Sequence, residues 1–453
     1  MGKAPSAHEQ RELRALFGVP DGEKLGLDDW GWLRIVAAGF GKQLEENGYF
    51  YLSAKELKEL SGREPRLMAK HDFSTSRPWI FKKLGLGIIP VSRSEYFVGP
   101  LDMYERFPEP THTGAGSVRT LDMPAGLDTL DIESVNSESM ALNVASASGM
   151  IEHFLGCEPL QATVAGRMSS LEMTIPVPGV GVKVKVDRAQ MEIDGGFESL
   201  EHLVIVEAKN HISEDFNIRQ LYFPYRRFQQ RLSKAVVPVF LVYSNGIFHL
   251  YRYDFTDPAE FRSIALIDHA RYALSSSHLS VDDALGIVGS VDAEPEPTGI
   301  PFPQANSFER VVNLVELIAQ QPRSKEEIAG EYDFHLRQAD YYANAACYLG
   351  LMTLADGHYQ LTPRGEKAIT QPRRDGRNAA LLRALAARRV FRQAMEMSLR
   401  RGVVAETHEI AAAIEELGLG AVTASRRAST VKQWIQWALD VVAEADPQPL
   451  PGL

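Results

Sequence analysis

The sequence predicts an α/β chain of the α+β kind, with a mixed sheet flanked by helices in its middle and a helical C-terminal part that carries one small hairpin. Three observations predict it. Four apolar strand-like runs, 191–197, 203–210, 236–243 and 247–253, stand among helical runs at 138–154 and around Gln220. Repeated prolines and acids at 290–306 then preclude regular structure. Beyond them the apolar spacing is helical, apart from two short runs around Asp356-Gly357.

A chain of 453 residues is too long for one ordinary core, so several domains are expected. A hydrophobic share of 45% with 24% charged residues belongs to a soluble globular protein rather than a disordered or membrane-embedded one. No apolar run is long enough to cross a bilayer, and Met1-Gly2-Lys3-Ala4-Pro5 lacks the apolar stretch of a signal peptide, so a cytoplasmic location without membrane contact is expected. Cys157 and Cys347 fall in different domains without metal-ligand spacing and are expected to be buried thiols.

Taken in order, residues 1–115 form a segment with helices at 28–47 and 53–60 and a strand-like portion at 86–98. Arg66 lies in Arg63-Glu64-Pro65-Arg66-Leu67-Met68-Ala69-Lys70 and Arg93 in Ser92-Arg93-Ser94-Glu95-Tyr96. Such mixtures of basic, hydroxyl and aromatic residues serve as base or phosphate contacts, or the segment is a structural cap on the sheet.

The central domain, 116–289, carries the chemistry. In Leu203-Val204-Ile205-Val206-Glu207-Ala208-Lys209-Asn210, Val206 and Ala208 face the core on one side of a strand while Glu207 and Lys209 share the other. Asp194, at the end of the preceding strand in Met191-Glu192-Ile193-Asp194-Gly195-Gly196-Phe197, is brought beside Glu207 by a short connection. Two carboxylates so placed make an all-oxygen pocket for a hard cation such as Mg²⁺, with Lys209 set to orient a water or steady charge on a phosphate. The bland alternative is an exposed strand-face pair beside an Asp194-Gly195-Gly196 turn. Val204-Ile205-Val206 reads as a buried central strand, however, where an unpartnered charged pair is expensive. Glu138, following Ser137, is either a further ligand or a favourable acid at a helix start, with Glu152 and Glu192 as alternative acids nearby. Gln220 and Arg219 are either orienting groups at the site or part of a solvated helix face.

The order of helix, strands, helix, strands, with Asp194, Glu207-Ala208-Lys209, Glu138 and Gln220 in their places, resembles the PD-(D/E)XK nuclease superfamily, and the surrounding chain resembles a Type II restriction endonuclease. Ile193 stands where the first motif has its proline. The resemblance implies catalytic roles for Asp194, Glu207, Lys209 and Gln220, and one or two Mg²⁺ ions on Asp194, Glu207 and Glu138. It also implies cleavage of double-stranded DNA at a short specific sequence, commonly by a homodimer.

After the 290–306 linker, residues 307–371 read as a winged helix: helices at 308–319, 325–330 and 337–349, then a wing around Asp356-Gly357. Gln338, Tyr341 and Asn344 on the third helix would face DNA, although winged helices also mediate protein contacts. Residues 372–453 read as helices at 379–400, 407–417 and 429–442, with a possible second helix-turn-helix unit. A net charge of −11 opposes DNA binding, but arginines concentrate between 364 and 401, where Arg373 and Arg374 stand as phosphate contacts unless they line a solvated helix face. Ser425-Arg426-Arg427 are expected at a helix N-terminus, suited to phosphate. Trp434 and Trp437 read as core. The leading expectation is therefore a Mg²⁺-dependent endonuclease on double-stranded DNA. A repair or recombination nuclease that reads DNA structure, and a non-catalytic winged-helix regulator, are the alternatives.

Overall fold

The computed structural model describes residues 5–108, 118–274 except 125, 128, 131, 133 and 134, then 279–332, 336–371 and 373–443. The mixed α/β class is as the sequence predicts, and the central sheet is a seven-stranded mixed one flanked by helices. Among the described residues no helix is long and apolar enough to cross a membrane.

The N-terminal part runs α1 (Ala7–Phe17), α2 (Leu27–Ile35), α3 (Gly41–Asn47), β1 (Phe50–Ser53), α4 (Ala54–Ser61), α5 (Pro65–Met68), α6 (Trp79–Leu84), β2 (Gly87–Pro90) and β3 (Glu95–Gly99). The Ser53 hydroxyl accepts the Glu56 N–H while the Glu56 carboxylate accepts the Ser53 N–H, which explains why α4 starts where it does. Trp32, Leu33, Phe50, Phe81 and Val98 share one apolar core, over which the three strands close in the order β1-β3-β2.

The central part comprises β4 (Tyr104–Arg106), β5 (Arg119–Leu121), α7 (Glu138–Ala147), α8 (Met150–Leu155), β6 (Gln161–Ser169), β7 (Met173–Val177), β8 (Val182–Val186), β9 (Gln190–Glu198), β10 (His202–Lys209), β11 (Asp215–Asn217), α9 (Arg219–Gln229), β12 (Ala235–Ser244), β13 (Ile247–Phe255) and β14 (Ile264–Leu274). Its strand order is β5-β14-β13-β12-β10-β9-β6. β10 and β12 are parallel and joined through α9, whereas β9 and β10 form an antiparallel hairpin. Leu203 and Ile205 pack with Leu221 and Tyr222 of α9, while Val204, Val206 and Ala208 pack with Leu142 and Val144 of α7. That period-2 division makes β10 a strand buried on both faces. The Asn245-Gly246 turn has both residues at positive φ (49° and 72°), the geometry a two-residue hairpin requires. The helical run expected over 138–154 is two helices, because Gly149, at φ 68°, breaks it.

The remainder runs α10 (Val281–Ser290), α11 (Phe308–Gln320), β15 (Arg323–Ser324), α12 (Lys325–Glu331), α13 (Leu336–Tyr348), β16 (Met352–Ala355), β17 (His358–Leu361), α14 (Pro363–Ile369), α15 (Arg374–Ala386), α16 (Arg389–Arg401), α17 (Thr407–Glu415) and α18 (Ala421–Ala443). The helix, helix, helix, wing order is present, with Asp356 and Gly357 both at positive φ in the β16–β17 turn.

Three expectations need correction here. Ser290 still belongs to α10, and residues 291–306 have neither helix nor strand but pack against the C-terminal part as a strap. Its Phe302 and Ala305 are buried, and the Glu294 carboxylate meets Arg364 and Arg388. The division at 371/372 is not a core boundary, since Val311, Leu349, Leu381, Phe391 and Trp434 belong to one apolar cluster. Two helix limits also move. The run at 379–400 is broken at Ala387-Arg388 into α15 and α16, and α18 begins at Ala421, so Ser425, Arg426 and Arg427 lie inside a helix and not at its N-terminus. Trp434 and Trp437 are core residues: both rings pack at a tilt against Phe308, and Trp434 also stacks on Phe391.

Candidate functional site

The cluster predicted from the two strands comes together at the carboxyl end of β10. Asp194 does not end its strand, as the sequence reading had it, but sits inside β9 at a bulge. Gly196 pairs with Val164 and Ile193 with Gly166, so two residues of β9, Asp194 and Gly195, lie opposite one of β6, Ala165. A bulge re-aims side chains. Met191 and Ile193 join the α9-side core, whereas a Cβ on Gly195 would lie 2.5 Å from Leu142 Cδ2 on the α7 side. The two glycines are therefore strand positions that let α7 and β6 approach closely, not a turn.

Asp194 Oδ2 accepts the Ala208 N–H at 2.9 Å, which ties it to the strand carrying Glu207 and Lys209. Lys209 Nζ donates to Glu207 Oε1 at 2.7 Å and to the Ala208 carbonyl at 3.0 Å, and lies 3.7 Å from Glu138 Oε1. Gln220, in the first turn of α9, donates through Nε2 to Glu207 Oε1 at 2.6 Å. The structure thus brings Asp194, Glu207, Lys209, Gln220 and Glu138 into one cluster, in which Glu207 and Lys209 are buried, Asp194 and Gln220 half-buried, and the Glu138 side chain 44% exposed. Glu138 occupies the first position of α7, whose N-cap Ser137 accepts the Met140 N–H at 3.2 Å. The two alternative acids do not join: Glu192 is held by Arg66 and Arg167, and Glu152 accepts the Leu160 N–H.

The electrostatics follow from crowding three acidic groups around one ammonium, with Glu207 and Lys209 buried. Burial pushes the Glu207 carboxyl up to about 8, with Lys209 opposing and Asp194 assisting the rise. Burial raises Glu138 also, against the pull of Lys209. Burial draws the Lys209 ammonium down, but Glu207, Glu138 and Asp194 outweigh it, so Lys209 stands above its usual value and stays protonated.

A hard divalent cation is what the family resemblance implies, and the donor chemistry fits one. The cluster offers only oxygen ligands, is short of positive charge, and leaves Gln220 Oε1 buried without a hydrogen-bond partner. Among the described residues no three His, Cys, Asp or Glu side chains stand together as a ready ligand set. Glu207 Oε1 is engaged by Lys209 and Gln220, and Asp194 Oδ2 by a backbone N–H.

Two residues that sequence reasoning missed belong to the surroundings. Asp72, from the N-terminal part, is buried, and its charge acts on Glu138 and Glu207, while its backbone carbonyl accepts the Asn217 N–H at 2.7 Å. His211 is held neutral, down to about 3, by burial and by the Lys209 charge. His211 follows Lys209 by two residues and was within reach of the sequence. Asp72 lies far upstream in a segment without a motif, and only folding brings it near.

The predicted DNA contacts are scattered by comparison. Gln338 Nε2 donates to Glu214 at 3.2 Å, Tyr341 accepts from Arg337 at 2.6 Å, and Asn344 is half-buried, so the third helix of the winged unit is partly turned onto the central domain. In the basic stretch several arginines are paired with acids of the same chain, some buried and some at the surface. Arg377 and Arg388 are buried beside Glu316 and Glu294, Arg389 meets Glu416, and Arg401 meets Glu409. Arg373 and Arg426 are exposed, Arg374 and Arg427 half-buried. Arg66 meets Glu192 at 3.1 Å, and Arg93 donates to Ser169 Oγ at 3.2 Å. Cys347 is buried, with its thiol pushed up to about 12, whereas Cys157 is only half-buried.

Three family models match the chain, each described as a domain of unknown function: DUF6996 over residues 29–98, DUF6997 over 99–273 and DUF7226 over 310–443. The last takes in the winged unit and the helices that share its core. No curated protein and no solved structure matches the chain.

Proposed function

We propose that this chain is a Mg²⁺-dependent endonuclease acting on double-stranded DNA, as in the PD-(D/E)XK superfamily it resembles, and that it cuts at a short specific site as a homodimer. The observation that carries the reading is the convergence of Asp194, Glu207, Lys209, Gln220 and Glu138 on the end of one buried strand, where a carboxylate cluster is costly unless it has work to do.

In this reading Asp194 and Glu207 hold the cation, with Glu138 as a further ligand. A bound Mg²⁺ would polarise the scissile phosphate and provide the nucleophilic water at neutral pH. Gln220 keeps the Glu207 carboxylate in one orientation through its 2.6 Å hydrogen bond. Lys209, kept as an ammonium by the acidic groups around it, supplies positive charge to a phosphate oxygen rather than accepting a proton. Exposed Arg373 and Arg426 are available for backbone phosphates.

Incubating the pure protein with plasmid DNA and Mg²⁺ tests the proposal. Discrete fragments are expected, with no cutting in chelator and none by Asp194→Ala, Glu207→Ala or Lys209→Ala variants that still bind DNA. A smear would point to a nuclease without sequence preference. Intact plasmid bound by the wild-type protein would favour a non-catalytic DNA-binding role.

A further inference from the structure

The loop 210–214, directly after Lys209, is clasped by the C-terminal part of the chain. Arg310 of α11 donates to the Ile212 carbonyl at 3.0 Å and the Ser213 carbonyl at 2.9 Å. Asn313, one helical turn on, is the centre of the clasp. Its Nδ2 donates to the Asn210 carbonyl at 3.0 Å and to Glu316 Oε2 at 3.2 Å, while its Oδ1 accepts the Ile212 N–H at 3.3 Å and the Tyr332 hydroxyl at 2.9 Å. Two donors and two acceptor sites are the full capacity of an asparagine amide, so its orientation is fixed. Asn313 is also 3% exposed on the apolar face of α11, between Val312 and Leu314, where helix propensity and core packing both favour an aliphatic residue. Stability of α11 does not account for it.

What Asn313 holds connects to both sides of the candidate site. Asn210 is the residue after Lys209. With its amide oxygen turned toward α7, Asn210 accepts the Ser137 N–H at 3.0 Å and the Glu138 N–H at 3.2 Å. One buried side chain on α11 thus fixes, through Asn210, the end of the strand bearing Lys209 and the start of the helix bearing Glu138.

We propose that Asn313 is a positioning residue for the site, acting through Asn210 to set Glu138 and Lys209 relative to Glu207. The inference rests on the nuclease reading for its kinetic consequence but not for its structural one. Asn313→Ala in the full chain is expected to lower kcat by about 10-fold, the lower end of the range for removing a partner one step behind a ligand because Asn313 acts through Asn210, with KM for DNA little changed and the Mg²⁺ half-saturation raised. Hydrogen exchange of the Ser137 and Glu138 amides should quicken in the same variant. Asn210→Ala, which keeps the backbone carbonyl but loses the α7 contact, should reproduce the kcat loss and the faster exchange; it is also the deciding variant if Asn313→Ala does not fold.

Wild-type kcat with unchanged Ser137 and Glu138 exchange in either variant would overturn the proposal. A global loss of stability with kcat per folded molecule intact would reduce Asn313 to a packing residue and overturn it equally. If the wild-type chain does not cut DNA, the nuclease reading fails by itself, and the exchange measurement still decides whether Asn313 controls the start of α7.

Discussion

Glu207 is the residue at which the site and the stability of the fold pull in opposite directions. Its carboxyl is pushed up to about 8, whereas in the unfolded chain a glutamate titrates near 4.3. Between these two values the folded chain keeps a proton that the unfolded chain has released, so stability falls as pH rises through this window and levels off above it. Glu207→Gln removes the titration while retaining a polar group for Lys209 and Gln220. In chelator, thermal melts from pH 5 to 9 should show the wild-type midpoint declining more than that of the variant, with the variant higher by roughly 2 °C or more at pH 8.5. Added Mg²⁺ should raise the wild-type midpoint and leave the variant nearly unchanged. Parallel pH profiles in chelator would show that Glu207 is ionised in the fold across the whole range.

At the scale of elements, the bulge in β9 and the closeness of α7 are one arrangement. Gly195 admits Leu142, and the resulting contact brings the first turn of α7 to the end of β10, where Glu138 reaches Lys209. Gly195→Ala places a methyl group 2.5 Å from Leu142 Cδ2, so either the helix or the leucine must yield. Overpacking of this kind costs about 1–3 kcal/mol, and denaturant melts should register it. Displacement of α7 should also lower cleavage beyond what the stability loss explains, and Leu142→Ala combined with Gly195→Ala should restore part of both. Cleavage by the single variant in proportion to its folded fraction would mean that α7 does not need its present height. Along α18 a different lesson holds. The hydroxyl and basic residues at 425–427 resemble a helix start, but Ala421, Ala424 and Ala428 favour helix, and Gly418 and Gly420 are the nearest interruptions, so the start falls earlier.

For the molecule as a whole, the clasp and the strap make the C-terminal part structurally continuous with the central domain. Ala284, Ile287 and Val288 of α10 are buried in the C-terminal core, and Glu316 accepts the Ser244 hydroxyl and the Asn245 N–H at the tip of the β12–β13 hairpin. A chain ended at Pro297 would expose the apolar face of α10 and release the loop after Lys209. It is expected to melt at lower temperature than the full chain and to lose cleavage, as a calorimetric scan and the plasmid assay would show; a fragment that cuts as fast as the full protein would make the clasp dispensable. DNA affinity should fall steeply with salt despite the net charge of −11, because exposed arginines act locally. Replacing Arg373 and Arg426 together by alanine should weaken binding to all sequences alike and reduce the salt slope by about 2, one for each phosphate contact. An unchanged slope would move the DNA interface elsewhere on the surface.

The sequence by itself determined the period-2 and helical segments, the two type-specific turns at Asn245-Gly246 and Asp356-Gly357, and the pairing of Glu207 and Lys209 on one strand face. Each depends on neighbours within a few residues: alternation fixes a face, and a positive-φ pair fixes a hairpin. The cluster of Asp194, Glu207, Lys209, Gln220 and Glu138 was legible because all five lie within one stretch of the central part, on α7, β9, β10 and α9. The tertiary structure alone decided that Asp194 is aimed by a bulge, since the extra residue exists only relative to β6. It alone brought Asp72 near the cluster and set Asn313 behind Asn210, a residue 103 positions earlier in the chain. It also paired several arginines of the basic stretch with acids: whether an arginine meets a phosphate or a glutamate depends on which acid the fold places within about 4 Å, and Glu294, Glu316, Glu409 and Glu416 were placed there. Local pattern carries the chemistry of a side chain and the face it occupies. Long-range packing chooses its partner, because partners are set by distance in space and not along the chain.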